Sequence, residues 1–319
     1  MKTFFKKIAL FLFILLLSCC TLAIFHFFFV GSLYTEAYTT AIVDKIDRLK
    51  NIDEPKIILV GNSNVAFGFD SAQIEEALSM PVVNLGLHGA LGNPFHENAA
   101  KKHINEGDIV VLCHSHFSNE QLQDGPLAWI TIDNHPEILS LFPLSDYPEL
   151  LRGYLEYYRK SLFLRITQRD KQAVSAPYAR SAFNEYGDIV SKPESQRLDT
   201  ETIFSTSLSE VPSIDSTCID RLNQYNQYVT ERGATLVIAG YPIADGKYST
   251  YSKNDFIDLK ASLQSSLSFE IISDYTDYFY PYAYFYDTIY HLTPEGTSIR
   301  TAQLIADLRA WDPSRFPAN

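Results

Sequence analysis

The 319 residues carry 38 acidic and 26 basic side chains, a net charge of −12. That balance argues against a nucleic-acid binder, which needs basic patches to neutralise phosphates. Four cysteines are too few for a disulfide framework, although Cys113 and Cys218 leave room for one bridge. Cys113 sits in an apolar run, where a small buried core residue is the simpler reading.

Lys2, Lys6 and Lys7 precede an apolar run from Ile8 to Val30 that holds no Asp, Glu, Lys or Arg. A hydrocarbon core of about 30 Å takes about 20 helical residues, so the run is long enough to span. Lysines before it, with no matching basic cluster after it, put the N-terminus in the cytoplasm and the body outside. Residues 1–34 are therefore expected to be a cytoplasmic stub and a single transmembrane anchor in the cytoplasmic membrane. Two processed forms compete with this reading. A cleaved signal peptide has a shorter apolar region, about 7–15 residues. Ser18-Cys19 loosely resembles a lipoprotein cleavage site, but the ten residues after Cys20 stay apolar and aromatic. Beyond residue 34 lie 23 basic and all 38 acidic residues, a net −15 that disfavours docking on anionic lipid.

Thr35 to Lys50 reads as an amphipathic helix, with Ile42, Val43, Ile46 and Leu49 at helical spacing. Pro55 ends it. Lys56 to Val60 is a short continuous apolar run, as a buried parallel strand requires. A short helix over Ser71–Leu78, capped by Asp70 or Ser71, follows. Val82–Leu85 is the second strand, Asn98–Asn105 a helix and Asp108–Cys113 the third strand. The region 117–214 offers one convincing helix, about Tyr147 to Gln168, and residues 169–214 have weak periodicity. Such a stretch reads as an insertion that covers a site. Order returns with a helix over residues 216–232 closed by Gly233. Ala234–Ala239 is a strand, Asp255–Leu267 a helix and Phe269–Ser273 a strand. The last helix runs from about Pro294 to Leu308, with Thr293 as N-cap and Pro294 at its first position. There is no internal repeat. Strands alternating with helices predict a three-layer α/β/α sandwich with a mainly parallel sheet over residues 35–319. Ligands bind beyond the carboxyl ends of such strands. Gly61–Gly68, Gly86–Gly92 and His114–Asn119 should meet there, joined by the loop before the last helix.

Three stretches bear chemistry. In Gly61-Asn62-Ser63-Asn64, a serine just after a buried strand is placed where an exposed nucleophile sits, with backbone N–H groups near an oxyanion. The plainer reading is a turn made by Asn and Ser. Gly86, at the second strand's end, lets backbone approach a ligand. Near the C-terminus, Asp287 and His291 precede a helix. A serine needs a base to take its proton, and a carboxylate fixes the histidine tautomer. The alternative is a loop histidine bonded to backbone and a turn aspartate. His114-x-His116 invites a metal reading, but no third ligand is evident. Nine Tyr or Phe residues between Tyr275 and Tyr290 suit sugar stacking, although core packing accounts for most.

Together these stretches resemble the SGNH (GDSL-like) hydrolase family, over roughly residues 53–310. The resemblance implies a flavodoxin-like sandwich with Ser63 as nucleophile, His291 as base and Asp287 as orienting acid. It implies an oxyanion hole from the N–H groups of Ser63 and Gly86. Two departures stand out. The family spaces its acid and histidine as Asp-x-x-His; here three residues intervene, so either Asp287 still reaches His291 or another acid such as Asp277 serves. The family's Gly-x-Asn-Asp after the third strand is absent, leaving His114, Ser115 or Asn119 to donate. Asn62, Asn64 and Tyr290 are candidate substrate contacts. No cofactor or metal is implied. The sequence looks most like anchored envelope members such as the D-alanine-transfer protein of teichoic-acid operons and polysaccharide O-acetylation proteins. This implies an esterase or acyltransferase acting on an envelope carbohydrate polymer, with an acyl donor supplied by a membrane-bound O-acyltransferase. The competing expectation is an inactive binding or assembly subunit that kept the fold.

Overall fold

The computed structural model describes residues 2–25, 33–118, 121–133, 135–167, 176–192, 211–246 and 249–317. Helix α1 (Lys2–Phe25) is long and apolar enough to cross a membrane, and none of its apolar window is covered by the rest of the chain. The body contains helices α2 (Ile42–Asn51), α3 (Ser63–Ala66), α4 (Ser71–Leu78), α5 (Asn93–Lys101) and α6 (Gly125–Ile132). These are followed by α7 (Tyr147–Thr167), α8 (Ser216–Thr230), α9 (Lys253–Ser266) and α10 (Pro294–Trp311).

Strands β1 (Ile57–Val60), β2 (Val82–Asn84), β3 (Ile109–Leu112), β4 (Thr235–Ile238) and β6 (Glu270–Ile271) form one sheet in the order β2-β1-β3-β4-β6. Every pairing in it is parallel; Ile57, for example, stands beside Val82 on one side and Ile109 on the other. A separate parallel pair joins β5 (Ile243–Asp245) to β7 (Phe279–Pro281). Alternation along the strands builds two cores. Ile58, Val60, Val110, Leu112, Leu236 and Ile238 pack with α2, α5, α8 and α9. Ile57, Leu59, Ile109, Val111 and Val237 pack with α4 and α10. The strands are apolar on both faces because both faces are covered. The result is a parallel sheet between two helical layers, the α/β sandwich expected.

Local chemistry sets the helix starts. Asp70 accepts from the Gln73 N–H at 3.1 Å, and Thr293 accepts from the Gly296 N–H at 3.3 Å with Pro294 behind it. Three expectations need correction. The helix expected at Asn98–Asn105 lies at Asn93–Lys101, started by Pro94. Gly125–Ile132 is helical although its apolar run carries no helical period; Asp124 caps it and Pro126 starts it. Cys113 and Cys218 are both free and buried, so no bridge joins them.

The inserted region is partly built from α6 and α7, which cross closely. A Cβ on Gly153 would lie 2.3 Å from the Gly125 carbonyl carbon, so the crossing admits no side chain there. Residues 176–192 then tie distant parts of the body together. The Asp188 carboxylate accepts from the Ser71 N–H and hydroxyl and from Asn84 Nδ2 at 2.7–2.8 Å. Lys192 donates to the Phe67 carbonyl and to Thr297 Oγ1. Residues 168–175 and 193–210 of the expected insertion lie outside the described residues.

Candidate active site

The sheet order reverses between β1 and β3, which opens a crevice at their carboxyl ends. At the end of β1 the chain turns through Gly61 into α3. Asn62 caps that single turn, its Oδ1 accepting from the Asn64 N–H at 2.9 Å. Ser63 is the first residue of the turn and is half-buried. The Phe67 N–H donates to the Ser63 carbonyl at 2.9 Å. Residues four apart on a helical turn share a face, so Ser63 and Phe67 lie on the same side. Among the described residues, no hydrogen bond engages the Ser63 N–H or Oγ.

The C-terminal loop supplies the other half. His291 Nδ1 lies 2.8 Å from Asp287 Oδ1, so Asp287 reaches the ring across three residues. Thr288 makes this fit, because its Oγ1 accepts from the N–H groups of both Tyr290 and His291 at 3.1 Å. Asp277 lies instead in the Tyr275–Tyr278 turn. Tyr178, from the insertion, donates to Asp287 Oδ2, and its hydroxyl is 3.2 Å from His291 Nδ1. Burial first, and then the Asp287 charge, raises the Tyr178 phenol well above its ordinary range, so it stays a donor. With Nδ1 donating to Asp287, Nε2 is the nitrogen left to accept a proton. The His291 ring stacks on Phe67, centroids 4.0 Å apart and planes within 6°. That contact holds the Asp287–His291 pair against the turn that carries Ser63. The Gly86–Gly92 stretch borders the same place. Gly89 approaches the Asn62 side chain. Burial, then the electrostatic influence of His291, lowers the pKa of His88.

Other expected site residues are engaged differently. The Gly86 N–H donates to Asn84 Oδ1 at 2.8 Å and is not offered to a ligand. A Cβ at Gly86 would lie 2.3 Å from the Ala66 nitrogen, so this glycine serves the packing of β2's end against α3. His114 turns away: Nε2 meets Glu97 Oε1 at 3.0 Å, and Arg221 holds the other Glu97 oxygen. Ser115 accepts from Asn62 Nδ2 at 3.1 Å and meets His116 Nδ1 at 2.9 Å. His114 and His116 thus face different partners and do not converge on an ion. Asn119 lies outside the described residues. Asn64 is fully buried; its Nδ2 donates to Asn62 Oδ1 and the Cys113 carbonyl, and Arg300 donates to its carbonyl and Oδ1. It stiffens the turn and does not face a ligand. The Tyr290 hydroxyl is 3.4 Å from His116 Nε2, which joins the C-terminal loop to the β3 loop. The aromatic run is mostly core: Tyr275, Tyr278, Tyr280, Phe285 and Tyr286 are buried. Tyr290 lines a cavity of about 20 Å³, which is too small for a sugar.

Sequence reading missed Tyr178, Phe67, His88 and Arg300. Phe67 and His88 lie in stretches expected to meet at the site, and Arg300 left a signal of its own, a charge on the buried Thr297–Thr301–Leu304 stripe of α10. Family models, curated proteins and solved structures give no match to this chain.

Proposed function

We propose that the protein is a membrane-anchored, SGNH-like serine acyl hydrolase or acyltransferase. Its substrates would be ester groups of an extracytoplasmic envelope polysaccharide or teichoic-acid-like polymer. The observation that carries this reading is the Asp287–His291 pair stacked on Phe67, the residue that shares a helical face with Ser63. In the proposed reaction His291 Nε2 takes the Ser63 Oγ proton as Oγ attacks the ester carbonyl carbon. The Ser63 N–H faces the developing oxyanion. Collapse breaks the ester C–O bond, and His291 returns the proton to the leaving alkoxide. Water then attacks acyl-Ser63 in a hydrolase, or a sugar hydroxyl does so in a transferase. A transferase draws on a donor delivered across the membrane by an O-acyltransferase partner.

A second reading, a non-catalytic assembly subunit, is favoured by the engaged Gly86 N–H and the turned His114. Each missing oxyanion donor costs about 10²–10³-fold in rate. A serine-directed fluorophosphonate probe on the full-length protein in detergent separates the two. Labelling of wild type that vanishes in Ser63→Ala and His291→Ala supports the enzyme. Equal labelling of Ser63→Ala overturns the site, and a folded wild type that stays unlabelled supports the assembly role.

A further inference from the structure

Helix α7 buries only one side. Leu150, Gly153, Tyr157 and Ser161 are covered by the body. Leu151, Leu155, Leu162 and Ile166 recur at helical spacing along the opposite side. Leu151 is 74% exposed, Leu155 63% and Ile166 72%, with Phe163 at their edge. Among the described residues beyond α1, six of the nine exposed large hydrophobics lie between Leu144 and Ile166. Scattered apolar residues are ordinary on a protein surface, but a contiguous stripe marks a contact surface.

The chain itself indicates what covers the stripe. Phe25, the last residue of α1, meets the Tyr158 ring edge-on at 6.3 Å. Nine positions later Tyr34 packs on the Tyr157 ring, and its hydroxyl lies 3.2 Å from Ser161 Oγ. The Tyr34 N–H donates to Asp133 at 3.3 Å. Both ends of the segment leaving α1 are therefore fastened to α7 or its neighbour. If α1 spans the bilayer, α7 lies where the chain emerges from it. Charge agrees locally. Residues 147–167 hold Arg152, Arg159, Lys160 and Arg165 against Glu149 and Glu156, a net +2 in a body of −15. Long basic side chains can keep their charges among headgroups while their stems lie on apolar surface.

We propose that α7 lies in the membrane interface with its Leu151–Leu155–Leu162–Ile166 stripe in lipid, so that the body docks on the bilayer instead of swinging on α1. This rests on the reading of α1 as a retained membrane anchor. Docking would also fix the height of the active site. Leu127 and Ile130 of α6, which packs on α7, line a cavity of about 200 Å³ with Tyr38, His88 and Tyr178, beside the Asp287–His291 pair.

Spin-label accessibility tests the proposal on the full-length chain in phosphatidylcholine nanodiscs. Cys19→Ser and Cys20→Ser remove the exposed thiols; Cys113 and Cys218 stay, because burial pushes both thiols up to about 11. Nitroxides are placed at Leu155→Cys, at Leu15→Cys within α1 and at Asp258→Cys on the exposed side of α9. The expected result is that oxygen relaxes the labels at 155 and 15 more than a water-soluble nickel chelate does, with the reverse at 258. If 155 behaves like 258 while 15 stays in lipid, the proposal fails and the anchor stands. If 15 is itself in water, the anchor reading fails and takes this one with it. Shielding of 155 from both reagents means that protein, not lipid, covers the stripe, and overturns the proposal.

Discussion

His291 lies 2.8 Å from Asp287 and His114 lies 3.0 Å from Glu97, so among the described residues the body holds two similar buried histidine–carboxylate pairs, apart from the exposed His135–Glu137 contact. They differ in what each bond leaves over. His291 spends Nδ1 on Asp287 and stacks its ring on Phe67, at the end of the turn that carries Ser63. His114 spends Nε2 on Glu97, and its Nδ1 is buried with no hydrogen-bond partner among the described residues. Glu97 is shared with Arg221, and the side chains of His114 and Glu97 are each only 1% exposed. Burial alone would raise the Glu97 pKa, but His114 and Arg221 together bring it below the ordinary value, so it stays charged. A histidine–carboxylate contact therefore does not identify a base. The proposed role of His291 needs a second nitrogen within reach of the Ser63 hydroxyl, and it is this that labelling rates test.

The largest expected effect tests this contrast directly. Asp287→Asn favours the wrong His291 tautomer and should slow fluorophosphonate labelling by about 10⁴-fold. Glu97→Gln should leave the labelling rate of folded protein unchanged. If Glu97→Gln slows labelling as much as Asp287→Asn, the two pairs cannot be assigned separate roles. Stability should respond in the opposite order. Glu97→Leu leaves the buried His114 and the mostly buried Arg221 without their carboxylate, and breaking a buried pair costs about 3–5 kcal/mol. Chemical denaturation in detergent should show that loss, and Asp287→Asn should show much less. Tyr178→Phe sharpens the catalytic side. It removes the hydroxyl that donates to Asp287 but leaves the Asp287–His291 bond. Hydrogen bonds to charged groups are worth about 1.5–3 kcal/mol. Labelling should slow by about tenfold with an unchanged endpoint. A rate equal to wild type would make Tyr178 a packing residue only.

The sheet was largely legible in the sequence, because short apolar runs such as Ile57–Val60 and Ile109–Leu112 carry their own signature. Ser63, Asp287 and His291 were legible as residue types at strand and helix ends. The Asp287–His291 contact was expected too, but the partners of the oxyanion-hole candidates were not legible. Gly86 and His114 stand where an oxyanion hole was expected, but strand position does not say which neighbour an N–H or a ring will meet. Asn84 and Glu97 meet them first. Tyr178 lies in a stretch without periodicity, and it reaches Asp287 over 109 residues of sequence separation. No local pattern encodes such a contact. Helix α6 was missed for a different reason: Leu127–Ile132 is apolar on every side, so it offers no amphipathic period to read.

The smallest expected effect concerns His96, which neighbours the structural pair. Both His96 ring nitrogens are buried, and among the described residues neither makes a well-formed hydrogen bond, although the His88 backbone interacts with the ring. Burial, then the electrostatic influence of His114, lowers the His96 pKa to about 3. In the unfolded chain a histidine titrates near 6.5. Above that pH both states hold His96 neutral and its contribution to stability is complete. As pH falls below about 6.5, the unfolded state gains a proton that the folded state refuses until about 3, so stability declines at up to about 1.4 kcal/mol per pH unit. His88 and His103 are also lowered, by burial first, and push in the same direction. Buried Asp188 and Asp307 are raised by burial and push the other way. The informative quantity is therefore the difference between wild type and His96→Leu, measured by denaturation at pH 7, 6 and 5. The variant should show a shallower loss. Equal slopes in wild type and His96→Leu would mean that His96 finds a proton acceptor in the folded state. The Glu97 cluster would then be an open titrating site, and the contrast between the two pairs would weaken.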